Sequence, residues 1–392
     1  MPNTMYAGFM TLYMLELGMS KAQVGFVTSL GLAVHLFFAI ISAYVTDKLG
    51  RRYATLIFDM IGWGGTHLLW AFATNMNFFI AAAVVNAFMR IVMNSWTCLM
   101  IEDSEPEIRV HIFNFILIAG ILAGFFAPVG ALLVNKLTLV PAMRVMCLFG
   151  FVSMMTLFIV RHMMVTETAV GVQKMREMKG VSIWGVFKTY PPVIRRLVSD
   201  RLLAVVFLVR ALNFIQFTVR GAFLAVLVTE RLGFPAETMA LFQTLSAVVM
   251  LLTLVFITPV LATYTRRWPI AMGIGFHIAA TFILLLSPAT QNYPLLILSG
   301  IFIALGTSVT SPRIDSLVAN TIANEERSVI NAAMGIILLL ISTPFGYIGG
   351  VLSDIDPRLP FLLTLTVLLL CLLLLHVATR IEKRRDADKA MA

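Results

Sequence analysis

The sequence predicts an all-α membrane protein built as two parallel six-helix bundles around a central cavity. Three observations predict it. The 392 residues are 59% hydrophobic and 12% charged, with a mean hydropathy of +0.92, too apolar for a surface that faces water. Apolar windows of roughly 17 to 25 residues, the length that crosses about 30 Å of hydrocarbon, recur along the whole chain. An internal repeat relates the two halves at an offset of about 215 residues.

Eleven of the windows are complete and one is partial. In order, α1 is expected over 2–17, α2 over 22–46, α3 over 53–73, α4 over 77–101, α5 over 112–134 and α6 over 143–160. A polar connection follows, and the second bundle places α7 over 202–228, α8 over 238–263, α9 over 269–287, α10 over 295–318, α11 over 329–352 and α12 over 361–379. The resulting division is a first bundle to residue 160, a cytoplasmic linker over 161–200, a second bundle over 201–379 and a cytoplasmic tail over 380–392. At about 16 residues α1 reaches only roughly 24 Å, whereas α7 extends well upstream of the position equivalent to Asn3. Helix α1 is therefore expected to be cut short and the native chain to begin upstream. Pro128 in α5 and Pro344 in α11 occupy repeat-related positions, where each removes a backbone hydrogen bond and bends its helix.

Charge gives the orientation. Of 29 lysines and arginines, 20 fall on the side of the termini, five on the opposite side and four within helices. This positive-inside asymmetry puts both termini in the cytoplasm of a plasma or inner membrane. It also explains the net charge of +9 without a nucleic-acid partner, since no binding motif for one is present. Cys98, Cys147 and Cys371 lie singly in apolar runs and lack metal or disulfide spacing. Phosphate-loop and H-E-x-x-H motifs are missing, and no Ser-His-Asp set gathers at one depth, so an enzyme is not expected.

The halves match at several places. Residues 16–22 resemble 230–236, Arg51-Arg52 falls on Arg266-Arg267, and Ala127-Pro128-Val129-Gly130 falls on Thr343-Pro344-Phe345-Gly346. An even number of spans separates the copies, so the repeat is parallel. Between α2 and α3 stands Ala43-Tyr44-Val45-Thr46-Asp47-Lys48-Leu49-Gly50-Arg51-Arg52. This loop resembles the major facilitator superfamily signature G-x-L-A-D-R-x-G-R-R, with Asp47, Gly50, Arg51 and Arg52 matching and Ala43 in place of the first glycine. With twelve spans and a parallel repeat, the resemblance covers essentially the whole chain. It implies a conformational latch in which Asp47 faces the start of α11 near Ser328, joined by Glu102 and Asp103, and which holds the outward-facing state. The competing reading is a simple positive-inside anchor. Two other superfamily patterns are degraded: α4 keeps Arg90 but has Met93 and Asn94 where glutamine and glycine are usual, and the α5 antiporter glycines survive only in part.

Polar side chains inside apolar helices mark candidate solute contacts. On α7, Arg210, Asn213, Gln216 and Arg220 fall within roughly 120° of arc; on α4, Asn86, Arg90, Asn94 and Thr97 within about 80°; on α10, Thr307, Ser308, Ser311 and Asp315 within about 100°. Tyr6 and Tyr13 join Asn3 on one side of α1. The resemblance places helices 1, 4, 7 and 10 around the cavity, and the stripes lie on those four. Helix-to-helix hydrogen bonding is the alternative use of such stripes. Arginines dominate them, so the cavity is expected to be positive and to suit an organic anion or an acidic amphiphile, whose oxygens match a guanidinium fork. Arg313 points away from the Asp315 stripe. Asp315 is the first candidate for proton coupling and Asp59 the second, although Asp59 also suits a salt bridge to a cytoplasmic arginine. His35, His67 and His277 are expected to be packing residues.

The expected function is secondary active transport of a small solute by alternating access, with proton coupling, in either direction. A transporter-like sensor or channel and a broad-specificity proton/drug antiporter are the alternatives. The expected partners are a small-molecule solute, the lipid bilayer and a coupling proton, with no cofactor, metal or nucleic acid, for a chain acting as a monomer.

Overall fold

The structure is a computed structural model that describes residues 2–180, 182–183, 199–257, 260, 268–321 and 327–391. The described residues form helices and no strand. Ten helices are long and apolar enough to cross a membrane. Two more, over residues 2–16 and 51–71, complete the order α1 to α12. Arg266-Arg267 and residues 184–198 of the expected linker lie outside the described residues.

Helix α1 is short and tightens into a 3₁₀ turn at Ala7–Phe9 between Pro2–Tyr6 and Met10–Glu16. Helix α2 runs Lys21–Leu49, about 44 Å at 1.5 Å per residue, so both its ends stand beyond the hydrocarbon. It begins at a capping box in which the Gln23 amide donates to Ser20 Oγ and the Ser20 amide donates to Gln23 Oε1. Gly50, at φ +82°, turns the chain directly into α3, a conformation that a side chain would strain. Within α3 the segment Met60–Gly65 widens to a π-helix. Its glycines lie against Met89 of α4 and Met155 of α6.

Helix α4, Met76–Ile101, tightens at Ala87 and Phe88, where amides bond three residues back. Helix α5, over 106–137, does the same at Gly124–Phe126, just before Pro128. Helix α6 is Leu139–Met164, and a linker helix, Ala169–Glu177, is capped by Thr168. The second bundle comprises α7 (Arg201–Arg231), α8 (Ala236–Ile257), α9 (Trp268–Leu286), α10 (Tyr293–Thr321), α11 (Arg327–Ile355) and α12 (Leu359–Met391). The last helix continues through the charged segment expected as a tail, because that segment is rich in good helix formers such as Glu382, Lys383 and Arg384.

The halves meet chiefly where α2 packs antiparallel along α11 and where α5 packs against α8. Glycine makes the first contact close. A Cβ on Gly25 would overlap the Gly346 carbonyl and lie 2.9 Å from Gly350 Cα, so the two backbones touch as in a small-xxx-small pair. At the second contact, a Cβ on Gly124 would sit 2.5 Å from Ala247 Cβ.

Candidate functional site

Helix α4 presents the first polar stripe. The Asn94 side-chain amide donates to Thr46 Oγ1 of α2 at 3.2 Å, and Asn86 lies two turns before it on the same face. Arg90, between them, has only Met93 Sδ as a side-chain acceptor, at 3.7 Å, and its buried Nε has none. No carboxylate pairs with Arg90 among the described residues. Met93 beside it is 57% exposed, so this guanidinium borders open space while lacking a counterion.

The α7 arginines are spent differently. Arg210 forms an ion pair with Asp315 of α10 at 3.0 Å, and the Asp315 side chain is 61% exposed. Asn213 accepts from Gln216 Nε2 at 3.3 Å, which leaves the buried Gln216 Oε1 without a donor. Buried Arg220 donates to His277 Nδ1 of α9 at 2.9 Å. A guanidinium has no acceptor, so this nitrogen carries the lone pair and the imidazole is neutral. Ser311 is half-buried on α10, and Arg313 forms no ion pair among the described residues. The structure thus joins Arg210 to Asp315 and Asn213 to Gln216. It directs Arg220 into the second bundle, toward a histidine expected only to pack.

Tyr6 and Tyr13, expected to face the cavity, find their partners within the first bundle. Both are buried, with Tyr6 Oη 2.9 Å from His67 Nε2 and Tyr13 Oη donating to the Trp70 carbonyl at 2.8 Å. They point into the first bundle, at α3, because a buried phenol needs a polar partner and α3 supplies two. Asp59 pairs with Arg161, whose guanidinium also lies 4.7 Å from the Trp96 ring centre. This is the salt bridge anticipated for it, and it occupies the carboxylate.

The signature loop forms a network inside the first half. Arg51 lies 2.8 Å from Asp47 and 3.0 Å from Glu102. The Thr168 hydroxyl also donates to Glu102. Burial pushes the Glu102 carboxyl up, but hydrogen bonds from Arg51 and Thr168 outweigh it and hold the group below its ordinary range. Glu167 accepts from the Arg51 and Arg52 amides at 3.0 and 2.9 Å, and so caps α3. Arg52 turns its guanidinium to the His162 carbonyl. Asp103, expected in this network, is exposed and forms no ion pair there among the described residues, because it faces away from Arg51 at the end of α4. The Ser328 side chain, expected opposite Asp47, lies outside the description. Sequence reasoning missed Glu167 and Thr168, although Glu-Thr before an amphipathic helix is a capping signal.

At the other end of α2 the contacts cross between halves. Asp354 accepts from the Lys21 and Ala22 amides at 3.0 and 2.9 Å, and Lys21 Nζ is 2.6 Å from Glu230 of α7. Farther along, the Tyr347 amide donates to Ser29 Oγ at 2.7 Å, and Thr11 donates to the Ala222 carbonyl at 2.8 Å.

The same arrangement of helices is found in solved transporters. A mutant of the nucleoside transporter NupG superposes with a TM-score of 0.69 at 14% identity, over 96% of this chain and 96% of that one. A bacterial homologue of the iron transporter ferroportin, in an inward-facing state, gives 0.69 at 13% identity, over 96% and 95%. The human organic anion transporter MFSD10 gives 0.58 at 17% identity, over 94% and 89%. Identities this low speak for the fold alone. No curated protein matches in sequence. The sequence profile of the Major Facilitator Superfamily matches residues 1–337 and again 206–391, and the chain belongs to that superfamily of solute transporters.

Proposed function

We propose that the protein is a secondary active carrier that moves a small organic anion by alternating access, and that the present conformation is its inward-facing one. One observation carries the reading. The side-chain contacts described between the halves gather at the Lys21 end of α2, whereas at the Leu49 end the ion pairs of Asp47, Arg51 and Glu102 among the described residues lie within the first half. Positive-inside charge puts the Leu49 end in the cytoplasm, so the closed end is the outer one.

Anion selectivity rests on Arg90. Arg210 is balanced by Asp315 and Arg220 is turned to His277, which leaves Arg90 as the guanidinium on these stripes with a buried nitrogen that has no acceptor among the described residues. A carboxylate or phosphate oxygen would satisfy its buried Nε. Asn86 and Asn94 flank Arg90, about one turn to either side of it on α4. The Arg210–Asp315 pair is the proposed coupling element: a proton on Asp315 removes the charge that holds Arg210, freeing a second guanidinium when the proton is bound.

Reconstituted protein tests this reading by counterflow. Saturable exchange of preloaded labelled anions, with no exchange of cationic analogues, is the expected result. Arg90→Ala is expected to lower uptake at subsaturating solute by about ten- to a hundredfold, the loss of a charged hydrogen bond. Unsaturable flux, or equal exchange of cations and anions that Arg90→Ala leaves unchanged, would overturn it.

A further inference from the structure

We propose that Asp354 is the outer counterpart of the Asp47 latch, so that α2 and α11 exchange carboxylate caps at opposite ends during the cycle. The pair is antiparallel, and each helix carries an aspartate near its C-terminus, Asp47 two residues before the end of α2 and Asp354 one residue before the end of α11. Each aspartate therefore stands at the N-terminal end of the partner helix. A helix N-terminus offers amides without intrahelical partners and a dipole that favours an anion. Outside, that offer is taken up: Asp354 holds the first two amides of α2, and Ser20 takes the third, from Gln23. Inside, Asp47 is turned to Arg51 of its own half.

A contact biases a conformational equilibrium only if it differs between the two states. The Asp354 cap meets that condition because it depends on backbone contact. Gly25, Gly346 and Gly350 bring the two helices together immediately beneath it, and a Cβ on Gly350 would lie 2.5 Å from the Lys21 carbonyl. Separating the outer ends by even a few ångströms breaks both hydrogen bonds. The cap thus belongs to the outward-closed state alone. The Lys21–Glu230 pair beside it is partly exposed, at 17% and 41%, and is a side-chain ion pair that does not depend on backbone contact.

This proposal rests on the alternating-access reading, and its test separates the two. Ser29 lies in the seam below the cap and is largely buried. Full-length protein carrying Ser29→Cys, with Cys98, Cys147 and Cys371 replaced by alanine, is reconstituted in liposomes and labelled from outside with a membrane-impermeant maleimide. Asp354→Asn is expected to raise the labelling rate about three- to tenfold, Asp354→Glu to return it toward wild type, and Asp47→Asn to lower it. Lys21→Pro deletes one capped amide at a position where proline suits a helix. It is expected to raise labelling more than Lys21→Ala, which removes only the ion pair. Unchanged labelling in Asp354→Asn and Lys21→Pro, with counterflow intact, overturns the cap and leaves the carrier reading standing. Absent counterflow in the wild-type protein overturns the carrier reading itself.

Discussion

At the Lys21 end of α2, the amides of Lys21 and Ala22 are held by Asp354 from the second half; at its Leu49 end, the amides of Arg51 and Arg52, where α3 begins, are held by Glu167 from the segment that leaves α6. Both are carboxylates on helix N-termini, worth about 0.3–2 kcal/mol apiece. Their consequences differ because of what each carboxylate is attached to. Asp354 ties one bundle to the other, so the proposed rocking would break it. Glu167 ties the first bundle to its own linker, so the same motion would leave it in place on the signature loop. One end is a clasp, the other a hinge plate.

The comparison breaks most severely at the outer seam. Gly25→Val places branched carbons where the Gly346 carbonyl lies, and the outer ends can no longer meet. Transport should fall about a hundredfold or more, since the cycle loses a state that differs by several kcal/mol, while the protein still folds and inserts. Uptake together with size-exclusion behaviour reads both outcomes. At the inner end the corresponding change is milder. Gly50→Ala puts a Cβ at φ +82° and 2.5 Å from Glu167, which should cost about 1–3 kcal/mol of stability. A lowered unfolding temperature is the readout, and a variant as stable as wild type would remove Gly50 from the account.

The inner network also carries a pH signature. Glu102 is held below its ordinary value of 4.5 in the folded state, so its contribution is fully present above that value and is lost as pH falls through the lower folded one. Thermal unfolding between pH 7 and pH 3 should show an acid limb that Glu102→Gln shrinks by a few degrees, because the variant is less stable than wild type near pH 7 and approaches it as the carboxylate is protonated in acid. An identical acid limb in both proteins would contradict this. Smallest of all, Glu167→Gln keeps an oxygen acceptor but loses the charge, and should cost about 0.5–1 kcal/mol, visible in the unfolding temperature but not in the outside labelling rate.

Much of the fold was legible because a bilayer imposes strong rules on a chain. Span length and loop charge are consequences of hydrocarbon thickness and leaflet asymmetry. The stripes were legible for the same reason, since a polar residue in a span must be satisfied by something. What that something is was not legible. Helical periodicity says which face a residue occupies but not which helix stands opposite. Tyr6 therefore went to His67 and Arg220 to His277, partners 61 and 57 residues away. Asp103 and Glu102 are neighbours in sequence, yet only Glu102 faces Arg51. The Gly346–Gly350 spacing was a readable sign of close helix contact, but Asp354 became informative only once the antiparallel partner was known.

The central claim is that the two ends open and close in opposition, and two distances measured in one protein test it most directly. Spin labels at Asn75 and Gln291 report the outer end, and labels at Met163 and Arg380 the inner end, all exposed positions. Pulsed spin-resonance distances in wild type and in Asp354→Asn should move inversely, the outer pair lengthening as the inner pair shortens. Outer and inner distances that stay fixed, or that lengthen together, would contradict the account.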